Sequence, residues 1–269
     1  MKICVCGKGG SGKSTVVALM AAELRDRGKQ VLVVDSDESN AGLYWMLGLE
    51  EPPAPLMELV GGKKSIQRVL RTGFTENGDY RGKPVLARDR FHAHDLPGTH
   101  IQRADGIGLV CIGKIHQTLE GCACPMGVLS REFLKKLRTG DDEVVVVDME
   151  AGVEHFGRGV ETSIDAVVAV VEPSLESVGL AERIKELASE AGARFAGAVL
   201  NKFSSAGIAA QLTEALQQRG VPVLSRIPFR QEFLQAGLEG AALNGAGAAA
   251  EVQALLDSVL AVTEAAEGN

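Results

Sequence analysis

This sequence of 269 residues has few of the features that mark a secreted or membrane-bound protein. Its five cysteines are too few and too unevenly placed for the disulfide framework of a small secreted domain. No apolar run reaches the length of a transmembrane helix, and a strand-like segment follows Met1 and Lys2 without a signal peptide. We therefore expect a cytoplasmic protein.

Positive charge is missing from the C-terminal part of the chain. No lysine or arginine follows Arg230, although acidic residues continue to Glu267, and the whole chain has a formal net charge of −7. A nucleic-acid surface or an amphipathic membrane helix needs basic residues, so this distribution argues against both. We expect no nucleic-acid partner and no membrane partner.

The alternation of strand-like and helix-like segments predicts an α/β fold. Runs rich in valine, such as Gln30–Asp35 and Glu143–Asp148, are typical of buried parallel strands. We predict a mostly parallel β-sheet with helices on both faces, in a single domain over residues 1–269. An irregular insertion at about 51–105 contains His92 and His94, whose polar neighbours favour a solvated loop over a metal site.

A glycine-rich loop stands between the first predicted strand and the first predicted helix. Residues Gly7–Thr15 fit the pattern G-x-x-x-x-G-K-[ST], in which backbone amides and a helix N-terminus bind phosphate oxygens. Lys13 would reach the β- and γ-phosphates, and the hydroxyl of Ser14 would ligate Mg²⁺. The predicted nucleotide-binding residues of the loop are Gly9, Gly10, Ser11, Gly12, Lys13, Ser14 and Thr15.

Carboxylates follow two of the predicted strands. Asp35 ends the second strand, with Asp37 two residues later, and Asp148 ends a strand at the position of a Walker B aspartate. Ligands of open α/β sheets bind at the carboxyl ends of the strands, so we assign Asp35 and Asp148 to the water shell of Mg²⁺. The alternative for Asp35 and Asp37 is to cap a helix that we predict near Asn40.

Two cysteines, Cys122 and Cys124, stand one residue apart before a predicted helix. Two thiolates fill half of a tetrahedral shell, and a second copy of the chain would complete it on a two-fold axis. Four thiolates suit Zn²⁺ or Ni²⁺, and a [4Fe–4S] cluster also fits them. The alternative is a redox pair or two small buried residues, and burial is also what we expect of Cys4 and Cys6.

The phosphate loop has a second lysine, Lys8, and resembles the deviant Walker A loop of dimeric ATPases that include nitrogenase iron protein and the Min and Par ATPases. The resemblance implies a nucleotide-dependent homodimer in which Lys8 reaches the phosphates of the partner subunit. It also implies that Asn201 and Lys202 belong to the nucleotide-binding site, that Asn201 hydrogen-bonds adenine, and that main chain near Pro228 lines the other side of the base. Asp37 would orient or deprotonate the attacking water. The implied catalytic residues are Lys8, Lys13 and Asp37.

Four segments together are similar to the carbon monoxide dehydrogenase accessory ATPases (CooC). These segments are Gly7–Thr15, Gly121–Pro125, Asp148–Gly159 and Asn201–Lys202. The resemblance implies ATP-driven delivery of nickel to carbon monoxide dehydrogenase, with Cys122 and Cys124 as ligands of nickel or zinc. Two alternatives stay open, an iron–sulfur reductase or scaffold similar to nitrogenase iron protein, and a Min- or Par-like positioning ATPase. The lack of cysteine in 148–159 argues against the first, and the acidic C-terminus argues against the second.

Overall fold

The computed structural model describes residues 1–37, 42–73, 84–113, 124–149, 163–243 and 246–267. Within these ranges one sheet contains eight strands. They are β1 (Lys2–Gly7), β2 (Gln30–Asp35), β3 (Gln102–Ala104), β4 (Ile107–Cys111), β5 (Glu143–Asp148), β6 (Ala166–Val171), β7 (Phe195–Phe203) and β8 (Val223–Pro228). Their order across the sheet is β3-β4-β2-β5-β1-β6-β7-β8. Neighbouring strands of this described sheet are parallel, except that β3 runs antiparallel to β4.

The central strands are buried along nearly their whole length. All six residues of β6 are buried, as are the residues of β5 from Val144 to Asp148. Strands that are covered on both faces read as continuous apolar runs, because neither face meets water. The predicted α/β fold with a mostly parallel sheet is confirmed.

Helices cover both faces of the sheet. They are α1 (Lys13–Asp26), α2 (Leu43–Met46), α3 (Leu56–Leu59), α4 (Gly62–Gly73), α5 (Cys124–Lys136), α6 (Leu175–Glu190), α7 (Ala206–Gln217), α8 (Gln231–Glu239) and α9 (Ala249–Glu267). One apolar cluster joins the sheet to α1, α2 and α9, and a second joins the opposite face to α3–α7. Over the described ranges, none of the helices has both the length and the apolar character needed to cross a bilayer.

Two elements, β7 and α8, differ from the sequence-based prediction. The apolar pattern of 194–200 predicts a strand followed by Asn201 and Lys202, but β7 extends to Phe203, because its backbone continues to pair with β8 beyond the apolar residues. The segment predicted as an irregular insertion contains α3, α4 and the polar strand β3, which pairing with β4 stabilises. α8 is also absent from the prediction; none of its residues is fully buried, although Phe233 and Ala236 pack partly against the core.

Candidate nucleotide-binding site

The glycine-rich loop connects β1 to α1 at the carboxyl edge of the middle of the sheet. β1 lies between β5 and β6, and β2 is the next strand beyond β5. The register pairs Asp35 of β2 with Asp148 of β5, so the two carboxylates stand side by side at this edge. The topology therefore brings the loop and the predicted acidic residues to one place.

Two glycines of the loop have no room for a side chain. Gly7 has φ 146°, and a Cβ there would lie 2.5 Å from the carbonyl oxygen of Val170. Gly12 has φ 93°, in the left-handed region, and a Cβ there would overlap Nδ2 of Asn201. Within the described residues, the buried hydroxyl of Ser11 has no hydrogen-bond partner. A tightly packed backbone with a buried polar group to satisfy suits a phosphate ligand.

Asn201 and Lys202 hold the loop from β7. Nδ2 of Asn201 donates to the carbonyl oxygen of Ser11 (2.8 Å), and Nζ of Lys202 donates to that of Gly10 (2.7 Å). The β7–β8 register shifts between Asn201 and Phe203, and Lys202 at the shift has a left-handed φ of 61°. A bulge of this kind redirects a side chain, here onto the phosphate loop. The predicted adenine contact of Asn201 stays a prediction, and its side-chain amide also supports the loop.

The close contact at Gly12 gives a testable prediction. We expect Gly12→Ala to weaken nucleotide binding by at least about tenfold, because the new Cβ displaces Asn201 from Ser11. Gly28→Ala is the matched control, since Gly28 also has a positive φ (80°) but a Cβ there meets no described atom within 4 Å. Both variants should lose roughly 1 kcal/mol of folding stability from backbone strain. Isothermal titration with ADP checks this, and equal affinities for the two variants would contradict it.

Three aspartates gather beside the loop, and all are buried. Oδ2 of Asp148 accepts a hydrogen bond from the hydroxyl of Ser14 (2.6 Å), and Oδ1 of Asp35 accepts one from the amide of Asp37 (3.1 Å). In the part of the chain that the structure describes, no three histidine, cysteine or acidic side chains converge closely enough to hold a metal ion directly. That Ser14 ligates Mg²⁺ directly, while Asp35 and Asp148 act through its water ligands, stays a prediction.

Burial, together with the charge of Asp35, raises the pKa of Asp148 to about 7, although the hydrogen bond from Ser14 and the charge of Lys13 oppose the rise. A fully buried carboxylate is unfavourable without a nearby positive charge. The oxygen donors here are the kind that Mg²⁺ prefers, and a divalent cation would offset the clustered negative charge. The residues present therefore fit the ion.

The two lysines of the loop have different surroundings. Lys13 is buried, and its Nζ lies 3.5 Å from the carbonyl oxygen of Lys8, which keeps it inside the loop. Lys8 is about one-third exposed, and its Nζ forms ion pairs with Glu176 (2.8 Å) and Glu172 (3.4 Å) of the same chain. The hydrogen bonds that Lys8 donates to these carboxylates, first to Glu176 and then to Glu172, raise its pKa. The sequence analysis missed both glutamates, although the run Glu172-Pro173-Ser174-Leu175-Glu176 follows β6 at the same edge.

The other predicted site residues lie partly beyond what the structure describes. Cys122 and the segment 150–159 are outside the described residues, and only the backbone of Cys124 is described, as the first residue of α5. Sγ of Cys4 lies 3.2 Å from Sγ of Cys6 in the core, as expected for two buried residues. The rings of His92 and His94 stack with centroids 5.2 Å apart.

Comparisons with known proteins agree with this geometry. The sequence profile of the CobQ/CobB/MinD/ParA nucleotide binding domain matches residues 3–243. An uncharacterized ATP-binding protein of Methanocaldococcus jannaschii is 40% identical over 265 residues, 98% of this chain and 100% of that protein. The carbon monoxide dehydrogenase accessory protein CooC of Rhodospirillum rubrum is 34% identical over 241 residues, 88% of each chain. The structure of the septum site-determining protein MinD with Mg-ADP from Pyrococcus horikoshii has the same fold, with a TM-score of 0.65 and 18% identity over 98% of this chain and 96% of that one.

Proposed function

The chain belongs to the CobQ/CobB/MinD/ParA family of nucleotide-binding ATPases, and we propose that it uses ATP to deliver nickel to the metal cluster of a client enzyme of the carbon monoxide dehydrogenase type. The observation that carries this proposal is a Cys-x-Cys pair, Cys122 and Cys124, in a chain that is 34% identical to CooC over 88% of its length. Cys122 precedes α5 in the sequence, and Cys124 is the first residue of that helix. Ser130 of α5 contacts Ser36, which lies between Asp35 and Asp37 in the sequence. Cys124 is about 9 Å along the helix axis from Ser130. Nucleotide and cargo sites would then share one helix.

The hydrolytic step uses residues of the sheet edge. Lys13, which is buried in the loop, would contact the β- and γ-phosphates. Ser14 would ligate Mg²⁺ directly, and Asp35 and Asp148 would hold it through its water ligands. When bound, Mg²⁺ neutralises charge on the phosphate oxygens. Asp37 is buried at this edge, its amide donates to Asp35, and its carboxylate would orient the attacking water.

Adenine would bind beside β7 and β8. Asn201, whose amide nitrogen supports the loop at Ser11, would hydrogen-bond the base. Pro228 pairs in register with Phe203, next to the bulge at Lys202, and main chain near Pro228 would line the other side. The remaining loop residues, Gly9 to Gly12 and Thr15, would contribute backbone amides to the phosphates.

In the proposed cycle, ATP brings two copies of the chain together and Lys8 of each reaches the phosphates of the other. Because hydrolysis removes charge from the γ-position, the attraction of Lys8 for the partner's nucleotide falls after turnover. Four thiolates from two copies of Cys122 and Cys124 would hold the nickel or zinc cargo in the closed dimer. Reopening would release the ion to the client.

The experiment that tests this function is metal analysis after anaerobic purification. We expect about half an equivalent of Ni²⁺ or Zn²⁺ per chain in the presence of a non-hydrolysable ATP analogue, because two chains share one ion. Cys122→Ser should remove this metal, while Cys4→Ala, which deletes a buried core thiol, should retain it.

Other outcomes of the same measurement identify the alternatives. A brown protein with iron and sulfide would indicate an iron–sulfur reductase or scaffold, since four cysteines also suit a [4Fe–4S] cluster. A dimer that forms with ATP but binds no metal would indicate a positioning ATPase. Full metal retention in Cys122→Ser would move the cargo site away from this cysteine pair.

A further inference from the structure

A buried serine joins the nucleotide site to α5. Ser36 lies between Asp35 and Asp37, and its amide donates a 2.9 Å hydrogen bond to the carbonyl oxygen of Asp148. Its hydroxyl shares a 2.8 Å hydrogen bond with the hydroxyl of Ser130 on α5. The two serines are 94 residues apart in sequence and are 9% and 3% exposed. Ser36 therefore touches both the clustered aspartates and the helix.

Polar contacts hold α5 at its middle and near its C-terminus. Near its C-terminus, Nζ of Lys2 donates to the carbonyl oxygen of Leu137 (2.8 Å), and Glu132 accepts the amides of Val85 and Leu86. Between these contacts the helix packs through apolar side chains such as Phe133. Apolar contacts are not directional, whereas a hydrogen bond between buried hydroxyls fixes relative position. The Ser36–Ser130 contact thus ties the middle of α5 to the sheet edge beside the clustered aspartates.

We propose that the hydrogen bond between Ser36 and Ser130 couples the nucleotide state of the site to the position of α5. A nucleotide places charge against Asp35 and Asp37, and any shift of that segment displaces Ser36. Ser130 must then follow, because separation would leave two buried hydroxyls without a hydrogen bond. The consequence for cargo rests on the proposed function, since α5 begins at Cys124. Ser36 and Ser130 are positioning residues in this scheme.

Amide hydrogen exchange along α5 tests the coupling directly. We expect the non-hydrolysable analogue AMPPNP with Mg²⁺ to slow exchange of amides in the first two turns of α5 of the wild-type protein by about threefold to tenfold. Ser130→Ala and Ser36→Ala should each remove most of this change, while AMPPNP affinity stays within about threefold of wild type. Ser225→Ala is the matched control, because Ser225 is also buried and its hydroxyl donates to the carbonyl oxygen of Glu251, away from α5.

The double variant Ser36→Ala/Ser130→Ala separates loss of coupling from loss of stability. Either single variant leaves one buried hydroxyl without its partner, whereas the double variant removes both. We expect the double variant to be as stable as the more stable single variant. Its AMPPNP-dependent change in amide exchange should be as small as that of either single variant, because all three variants break the same interaction. Equal nucleotide-dependent exchange in wild type and double variant would overturn the proposal.

The same proteins distinguish this inference from the proposed function. If wild type binds no metal but the exchange of α5 still responds to AMPPNP through the serine pair, the coupling stands and the cargo function fails. If wild type binds metal with Cys122 and α5 shows no response to AMPPNP, the cargo function stands and the coupling is wrong.

Discussion

Asp148→Asn is expected to reduce ATP turnover by roughly 10²–10³-fold while stabilising the nucleotide-free protein at about pH 8. The carboxylate is completely buried beside Asp35, and the pKa of about 7 shows that its charged form is disfavoured in the fold. Asparagine keeps an oxygen that can accept the hydrogen bond from Ser14. Because its side chain is neutral, burial beside Asp35 does not destabilise it as it does the charged carboxylate. Loss of turnover follows because the metal's water shell loses a charged partner.

The pH dependence of stability separates this explanation from a simple packing change. Because the folded-state pKa of Asp148 is raised from 3.8 to about 7, its contribution to stability is full below about pH 4 and is lost as pH rises through about 7. The difference in unfolding free energy between Asp148→Asn and wild type should grow over that window, to at most about 4 kcal/mol. Urea unfolding at about pH 5 and pH 8 measures it. A difference that is constant with pH would contradict the burial argument.

Lys8→Ala is expected to abolish ATP-dependent dimerisation and to lower turnover by at least about 10²-fold. Affinity for ADP should stay within about threefold of wild type, because Lys13, not Lys8, is buried in the chain's own loop. Analytical ultracentrifugation with ATP in a hydrolysis-deficient Asp37→Asn background gives the readout. An unchanged sedimentation profile in Lys8→Ala would remove the argument for a lysine that acts across the dimer.

The ion pairs of Lys8 predict that replacing one of its glutamate partners strengthens ATP-dependent dimerisation. Glu172 and Glu176 hold Nζ within the same chain, so Lys8 must leave them to reach a second nucleotide. Glu176→Gln should therefore shift ATP-dependent dimerisation to protein concentrations about twofold to fivefold lower, a small change because these side chains are partly exposed to solvent. Glu186→Gln on the same helix is the control, since Glu186 pairs with Arg183 instead. A weaker dimer in Glu176→Gln would mean that the glutamate supports closure.

Local patterns predicted much of the fold. The valine-rich runs are central strands, and the loop at residues 8–12 connects β1 to α1, as the spacing indicated. The polar ends of strands were harder to predict. Asn201 and Lys202 continue β7 through backbone pairing with β8, which their polar side chains do not indicate. The same reason explains β3, a strand of three residues that exists because β4 pairs with it.

The amino-acid sequence by itself determined the phosphate loop and the buried strands, since spacing and burial pattern are properties of contiguous residues. The tertiary structure alone decided which distant groups meet: Asn201 on Ser11, 190 residues away, Lys8 between two glutamates, and Ser36 on Ser130. These contacts depend on the strand order β2-β5-β1-β6-β7, which brings loops from separate parts of the chain to one edge of the sheet. Strand order is set by the packing of the whole sheet and its helices, and no short stretch of sequence encodes it.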